Sequence, residues 1–309
     1  MILRHIVSFG RRSSLVAFVS ALAACAALAP PASESPALGS LIAAERAFAA
    51  MSVADGMRAA FLANFADDGL MFSPGPVNAR QALTARPAPT DPHAVRLEWS
   101  PAVGAVAASG DMGFTTGPFL FSDLRAGRPP QHGVYFSIWR REASGKWHVA
   151  IDAGVTTPAA VGTAALAPAP ALAPNGAGGA GRGPEPTGLE APGVTAVLGG
   201  DGPDNYAAWF AADGRLHRNG FAPLIGRERV RAHLRRAGVT PARASFLPQG
   251  SGIATDGGLA WTYGTLKLTE GAPGTRPLDD GWYVHLWARE ADGRWRIIVA
   301  TVLEGEDSP

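Results

Sequence analysis

Cysteine is almost absent from this chain, which has 309 residues and Cys25 as its only cysteine. A single thiol cannot close an intramolecular disulfide, so the fold depends on packing rather than on covalent cross-links. The histidines do not show the close paired spacing of a zinc site, and clustered thiolates are not available. The sequence therefore predicts no metal ion and no cofactor.

An excess of one charge is also missing, because 27 Lys and Arg residues stand against 26 Asp and Glu residues and no basic run occurs. A nucleic-acid partner is therefore not expected. The glycine-rich stretch 176–183 has no strand before it and no lysine after it, so it is not a phosphate-binding loop.

The N-terminus lacks an apolar run long enough to span a bilayer. Basic residues are followed by an apolar stretch from Leu15 to Ala24, which is typical of a secretory signal. The residues before Cys25 resemble a bacterial lipobox, which predicts a signal peptide over 1–25 and a lipid anchor on Cys25. The alternative is an ordinary signal peptide cut after Ala29. Either reading predicts an exported protein of the cell envelope, and lipidation would hold it on the outer face of a membrane.

One segment of the chain occurs twice. Residues 133–147 and 281–295 are identical at eight of fifteen positions, with a constant offset of 148 residues. Weaker matches extend upstream in the same order, such as Thr115 with Thr262. A repeat of this length predicts two similar domains.

Composition divides the rest of the chain. A Pro/Ala tether over 26–37 precedes a first domain over 38–156. An Ala/Pro/Gly-rich segment over 157–190 is predicted to be an extended linker that buries no core. A second domain is predicted over 191–304, with a degraded first helix, and a tail covers 305–309.

Within the first domain, helical spacing comes first and strand patterns follow, which predicts an α+β fold. Two helices are predicted to meet near Asp55 and Gly56, followed by a short strand near 70–72 and a short helix from Ala79. The second domain is expected to place Tyr206, Trp209 and Phe210 together on one helix. Further strands are predicted at 95–99, 103–107, 114–121, 134–141 and 147–153.

Several of these motifs resemble the nuclear transport factor 2-like superfamily and its SnoaL-like domains. They are Phe-Ala-Asp-Asp-Gly at 65–69 with Asn-Ala-Arg at 78–80, Phe-Ala-Ala-Asp-Gly at 210–214 with Ile-Gly-Arg at 225–227, and the hairpin repeated at 133–147 and 281–295. The resemblance implies two tandem cone-shaped, cystatin-like domains. Each would have helices packed on a curved antiparallel sheet around an apolar pocket.

Residue alternation shows which side chains share a face of each strand, and the resemblance to ketosteroid isomerases implies which face is turned to the pocket. Tyr135, Ser137 and Trp139 share one face of their strand. Asp152 is expected on the pocket face of the last strand. It would be the only carboxylate in the first cone, which makes it the candidate catalytic residue. His285 occupies the place of Ser137 in the second copy. The predicted ligand-binding residues are Tyr135, Ser137, Trp139, Trp99, Tyr283, His285 and Trp287.

Each candidate also has a structural interpretation. Asp152 could cap a turn or pair with an arginine, and His285 could be a hydrogen-bonded core residue. The paired tyrosines and tryptophans of the two copies suit packing between sheet and helix.

The resemblance does not determine an activity, because its members include enzymes and binding modules. In the ketosteroid isomerases of this group the catalytic base is an aspartate; the corresponding positions here are Ser73 and Arg218, which cannot serve as that base. The leading hypothesis is therefore a protein that binds a small, mostly apolar molecule without catalysis. One alternative is a cofactor-independent lyase, cyclase or isomerase using Asp152. The other is an interaction module, in which sheet faces pack on each other or form a homodimer.

Overall fold

The structure is a computed structural model that describes residues 35–73, 75–125, 127–166, 172, 206–236, 243–269 and 277–304. The signal peptide, most of the predicted linker, the first helix of the second copy and the tail lie outside the described residues. The predicted domain boundaries remain predictions.

The first half begins with two helices, α1 (Pro36–Ala54) and α2 (Met57–Asn64). Ser35 caps α1 by accepting a hydrogen bond from the Leu38 amide at 3.2 Å, and Pro36 suits the first turn because it has no amide hydrogen to leave unpaired. The predicted break between the helices is confirmed. It lies at Gly56, whose φ of 86° favours glycine.

The remaining elements of this half follow the predicted order, except for one additional short strand, Pro76–Asn78, which was not predicted. They are β1 (Phe65–Phe72), β2 (Pro76–Asn78), α3 (Ala79–Ala85), β3 (Val95–Trp99), β4 (Val103–Val106), β5 (Met112–Asp123), β6 (Gln131–Arg141) and β7 (Trp147–Thr156). The strand order is β2-β1-β7-β6-β5-β3, with β4 also paired to β5. All pairs are antiparallel except β1 with β7.

The second half repeats this arrangement. Its elements are β8 (Phe210–Arg218), β9 (Leu224–Ile225), α4 (Arg227–Arg236), β10 (Arg243–Ile253), β11 (Leu259–Thr269), β12 (Pro277–Arg289) and β13 (Trp295–Glu304). The sheet order is β10-β11-β12-β13-β8-β9, and the parallel pair of β13 with β8 corresponds to that of β7 with β1. The predicted α+β class is confirmed, with two sheets and few helices.

Two of the three residues that were predicted on one helix of the second half are placed differently, since Trp209 lies in a turn and Phe210 in a strand. Phe210 begins β8 and pairs with Ile297 of β13, whereas the sequence pattern put it on a helix with Tyr206 and Trp209. Phe210 and Tyr206 still pack together, with ring centroids 5.3 Å apart. The apolar pattern continues from the helix into the strand, so the sequence does not show where the helix ends and β8 begins.

The outer faces of the two sheets share one apolar core. Phe136 and Ile138 of β6 and Val284 and Leu286 of β12 are all buried in this cluster. Phe72 meets Tyr263 of the other sheet edge to face at 6.1 Å. Face-to-face burial of this kind is what stacked sheets require when both of their faces carry apolar side chains.

Polar turns close one end of this shared core. The Ser109 amide donates to the Asp256 carboxylate at 2.8 Å, and the Thr255 amide donates to Asp111 at 3.0 Å. Partial burial acts to raise the pKa of Asp111, but hydrogen bonds from the Ser109 hydroxyl and from the Thr255 amide and hydroxyl outweigh it, so the pKa is lowered. Each sheet therefore anchors a hairpin turn of the other.

Part of the predicted linker also enters the shared core. Thr163–Leu166 forms a short 3-10 helix, and Leu166 is fully buried. The buried Arg215 side chain donates to the Leu166 carbonyl at 2.9 Å. The expectation that this segment buries no core is therefore wrong at Leu166.

We expect the shared core to make the two halves unfold together. Phe136→Ala should cost about 3–5 kcal/mol in urea denaturation, because it removes a fully buried ring. Leu124→Ala is the matched control, since this exposed side chain should change stability by less than about 0.5 kcal/mol. Calorimetry should show one transition in all three proteins, whereas separate transitions for the two halves would contradict the shared core.

Candidate functional site

The inner face of the first sheet, together with α1 and α2, encloses a cavity of about 260 Å³. Its lining is mostly aromatic, and the polar groups are few. The lining residues are Phe48, Phe61, Leu97, Trp99, Phe119, Phe121, Gln131, Tyr135, Asp152 and Gly154. A concave apolar space with a few convergent polar groups is typical of a small-molecule site.

Alternation along β6 positions the polar floor of this cavity. Phe136 and Ile138 turn into the shared core, while Tyr135, Ser137 and Trp139 lie on the opposite, inner face. Two glycines leave room for the ring of Phe119, which lines the cavity. A Cβ at Gly133 would lie 2.1 Å from the Phe119 ring, and one at Gly154 would lie 3.3 Å from it.

A carboxyl group that the sequence analysis missed lies behind this floor. Glu45 of α1 is fully buried, and it shares the buried face of the helix with Leu41 and Phe48. The expectation that Asp152 is the only carboxylate inside the first cone is therefore wrong. The available signal was helical spacing, since Glu45 follows Leu41 by four residues and precedes Phe48 by three.

Three donors hold the Glu45 carboxyl. Trp99 Nε1 donates to Oε1, while the Thr115 hydroxyl and Trp139 Nε1 donate to Oε2, the latter at 3.0 Å. These residues belong to β3, β5 and β6, so one helix side chain ties α1 to three strands. Trp139 Nε1 also approaches the Thr115 hydroxyl at 3.1 Å.

Burial raises the pKa of Glu45 from 4.5 to about 7, and the negative charge of Asp152 adds to this rise. The hydrogen bonds from Thr115, Trp99 and Trp139 act in the opposite direction, because they favour the ionised carboxylate. Near pH 7, Glu45 is therefore protonated in some molecules and ionised in others.

Asp152 lies on the cavity wall itself. It is half-buried, it lines the cavity, and the Ser137 hydroxyl donates to its Oδ2 at 2.6 Å. Burial raises the pKa of Asp152 from 3.8 to about 6, while the Ser137 hydrogen bond opposes the rise. Among the described residues no arginine bonds to Asp152, so the structural interpretation in which Asp152 pairs with an arginine is not supported.

The Tyr135 hydroxyl is the other polar group of the floor. Its oxygen is buried and has no hydrogen bond of good geometry among the described residues, although the Thr115 hydroxyl is close enough to influence it. Burial, together with the charge of Glu45, raises the pKa of Tyr135, so the hydroxyl keeps its proton. The side chain of Tyr135 therefore lines the cavity while its hydroxyl is a buried donor.

The predicted site residues of the first half thus lie together in two layers. Trp99, Tyr135 and Asp152 line the cavity, whereas Ser137 and Trp139 lie behind it and hydrogen-bond to the carboxyl groups. Trp99 belongs to both layers, because its ring lines the cavity while its indole nitrogen holds Glu45.

The predicted site residues of the second half lie in a packed aromatic cluster. His285 is fully buried, and its Nε2 is joined to the Tyr206 hydroxyl by a hydrogen bond of 2.8 Å. Tyr283 stacks obliquely on His285 at 4.5 Å, and Phe246 lies 5.2 Å from the same ring. Trp287 donates to the Thr262 hydroxyl at 2.9 Å, which repeats the pairing of Trp139 with Thr115.

The first helix of the fold is also apolar. α1 is long and apolar enough to cross a membrane by length and composition alone, but it packs on the first sheet through Leu41, Glu45 and Phe48.

Within the described residues, no three His, Cys, Asp or Glu side chains are grouped so that they could hold a metal ion.

Glu45 should make the stability of the protein depend on pH. Its pKa is higher in the folded state, so its protonated form stabilises the fold below pH 4.5, and this stabilisation is lost as the pH rises to about 7. The loss is on the order of 3 kcal/mol, since one pKa unit corresponds to 1.36 kcal/mol.

This effect is measured by urea denaturation of the wild-type protein and the Glu45→Gln variant from pH 4.5 to pH 8. The variant should lose the part of the pH dependence that comes from Glu45, keep the part that comes from Asp152, whose pKa is also raised, and be the more stable protein at pH 8. Glu98→Gln is the control, because Glu98 pairs with Arg96 on the surface. An unchanged pH dependence in Glu45→Gln would contradict the raised pKa of Glu45.

Comparison with known proteins gives structural likenesses only: no protein-family model and no curated protein matches the sequence. A ketosteroid isomerase-like protein from Erwinia carotovora atroseptica is 16% identical, with 41% of this chain and 100% of that chain covered and a TM-score of 0.32. An ntf2-like protein with a cystatin-like fold from Novosphingobium aromaticivorans is 17% identical, with coverages of 40% and 80% and a TM-score of 0.32. A domain of unknown function with a cystatin-like fold from Nostoc punctiforme is 15% identical, with coverages of 38% and 74% and a TM-score of 0.32. Each of these likenesses covers about 40% of this chain.

Proposed function

We propose that the first half of this protein binds a small, mostly apolar molecule in the cavity between its sheet and α1. The observation that carries the proposal is an aromatic cavity of about 260 Å³ whose lining includes the carboxyl group of Asp152 and the side chain of Tyr135. Apolar walls supply most of the free energy of such binding, while a few polar groups fix the orientation of the ligand.

The Asp152 carboxylate is a polar group that a ligand meets at the cavity wall, and it can accept a hydrogen bond. The Tyr135 hydroxyl is buried, so this side chain meets the ligand through its ring. Because Ser137 already holds Asp152 from behind, a ligand meets a carboxylate of fixed orientation. This arrangement favours a ligand with one polar end and an apolar body.

Proton transfer by Asp152 is the second candidate function, and its pKa of about 6 supports it. A carboxylate of this pKa is a stronger base than an ordinary aspartate and can act near neutral pH. The reaction would then be a cofactor-independent isomerisation, cyclisation or elimination. An Asp152→Asn variant that keeps binding but loses turnover of a candidate substrate would identify it.

Binding at the cavity is tested with the neutral fluorescent probe N-phenyl-1-naphthylamine. Leu97→Trp enlarges a wall residue and should weaken binding by about tenfold or more, because the added ring occupies ligand space. Leu124→Trp makes the same change at an exposed site and should leave the affinity within about twofold. Equal affinities for the two variants would contradict binding in this cavity.

Native mass spectrometry of protein purified from its own envelope complements this test. A mass increment that is present in the wild-type chain and lost in Leu97→Trp would be a retained ligand. Its mass would then narrow the ligand class.

We also propose that the mature chain is exported and anchored to a membrane through a lipid on Cys25. The support is the lipobox-like sequence of residues 22–25 after a short apolar run. Cys25→Ser should move the protein from the membrane fraction to the soluble fraction of the envelope, because the lipid attachment site is lost. An unchanged distribution between the fractions would refute lipidation at this residue.

A further inference from the structure

The cavity of the first half carries negative charge without a matching positive charge. Asp152 lines it, and Glu45 lies directly behind its floor. Among the described residues, no lysine, arginine or histidine lines the cavity or bonds to either carboxyl group; the hydrogen-bond donors are the Ser137 and Thr115 hydroxyls and two indoles. The surface ion pairs lie elsewhere, as between Arg96 and Glu98.

Such an arrangement is unusual for a folded interior. Buried charges in proteins are normally paired, since an isolated one is costly, and an unpaired carboxyl group responds by taking up a proton. The raised pKa values of Asp152 and Glu45 are this response. A cation in the cavity would provide the missing partner and lower both pKa values.

The walls favour the same kind of ligand. The rings of Phe48, Phe61 and Tyr135 surround Trp99, with centroids at 4.7, 6.4 and 6.4 Å from it, and Tyr135 borders the polar floor. The faces of aromatic rings are negative and attract cations, most strongly where water is excluded. An anionic ligand would face both these rings and the carboxylate.

We infer that the cavity selects an apolar organic cation, with its positive centre next to Asp152 and Tyr135 and its apolar body among the aromatic rings. This inference rests on the proposed function, because it names the ligand class for the same cavity. A protonated amine or a quaternary ammonium carried on a hydrophobic group has the required chemistry. Neither the sequence pattern nor the likeness to other structures assigns a charge to the ligand.

Phenyltrimethylammonium and tert-butylbenzene form the appropriate pair of probes, because they have nearly the same shape and differ in charge. Affinities are measured at pH 8 by competition with N-phenyl-1-naphthylamine, since both carboxyl groups are mostly ionised there. We expect the cation to bind at least about tenfold more tightly than its neutral counterpart.

Asp152→Asn removes the charge of the cavity wall while keeping its shape, and the Ser137 hydroxyl can still donate to it. This variant should reduce the preference for the cation to about threefold or less and leave the affinity for tert-butylbenzene unchanged. Glu98→Gln removes one negative charge from β3, on the surface beside Arg96 and outside the cavity lining, and should keep the preference. Circular dichroism of the three proteins checks that they share one fold.

The possible results are distinguishable. Equal binding of the two probes, or tighter binding of tert-butylbenzene, would overturn the inference and leave the proposed function standing. A preference that survives in Asp152→Asn would also overturn it, because the charge would then not come from this wall. Failure of both probes and of N-phenyl-1-naphthylamine to bind would reject the proposed function itself.

Discussion

The burial of one carboxyl group organises the first half of this protein. Glu45 is held by two indoles and a hydroxyl from three strands, so α1 can lie on the sheet in only one register. The same contacts fix Trp99, whose ring is a wall of the cavity. A buried polar network of this kind specifies a unique arrangement because each group would be costly to leave unpaired.

The two halves use one topology for different interiors. Each has a threonine and tryptophan pair at the same place, Thr115 with Trp139 and Thr262 with Trp287. In the first half this pair supports a carboxyl group below a cavity. In the second, Tyr206 occupies the interior and bonds to His285 within a cluster of buried rings. Among the described residues, one topology therefore surrounds a cavity in the first half and a buried aromatic cluster in the second.

The fold could be predicted well from the sequence, and the site only in part. Strand alternation placed Tyr135, Ser137 and Trp139 on the inner face of β6, because a period of two leaves little freedom. Glu45 was missed because a charged residue within an apolar helix pattern was not considered as a core residue. Phe210 was assigned to a helix because burial patterns do not mark where a helix becomes a strand. The shared core between the sheets depends on contacts between distant segments, which local patterns do not reveal.

The central claim is that Asp152 on the wall of an aromatic cavity and Glu45 buried behind it have no positively charged side chain bonded to them among the described residues. Carbon-13 NMR titration of the side-chain carboxyl groups, assigned with Asp152→Asn and Glu45→Gln, tests it most directly. We predict one aspartate that titrates at about 6 and one glutamate that titrates at about 7. Ordinary titration of both groups, near 3.8 and 4.5, would show that they are hydrated or paired and would contradict the account.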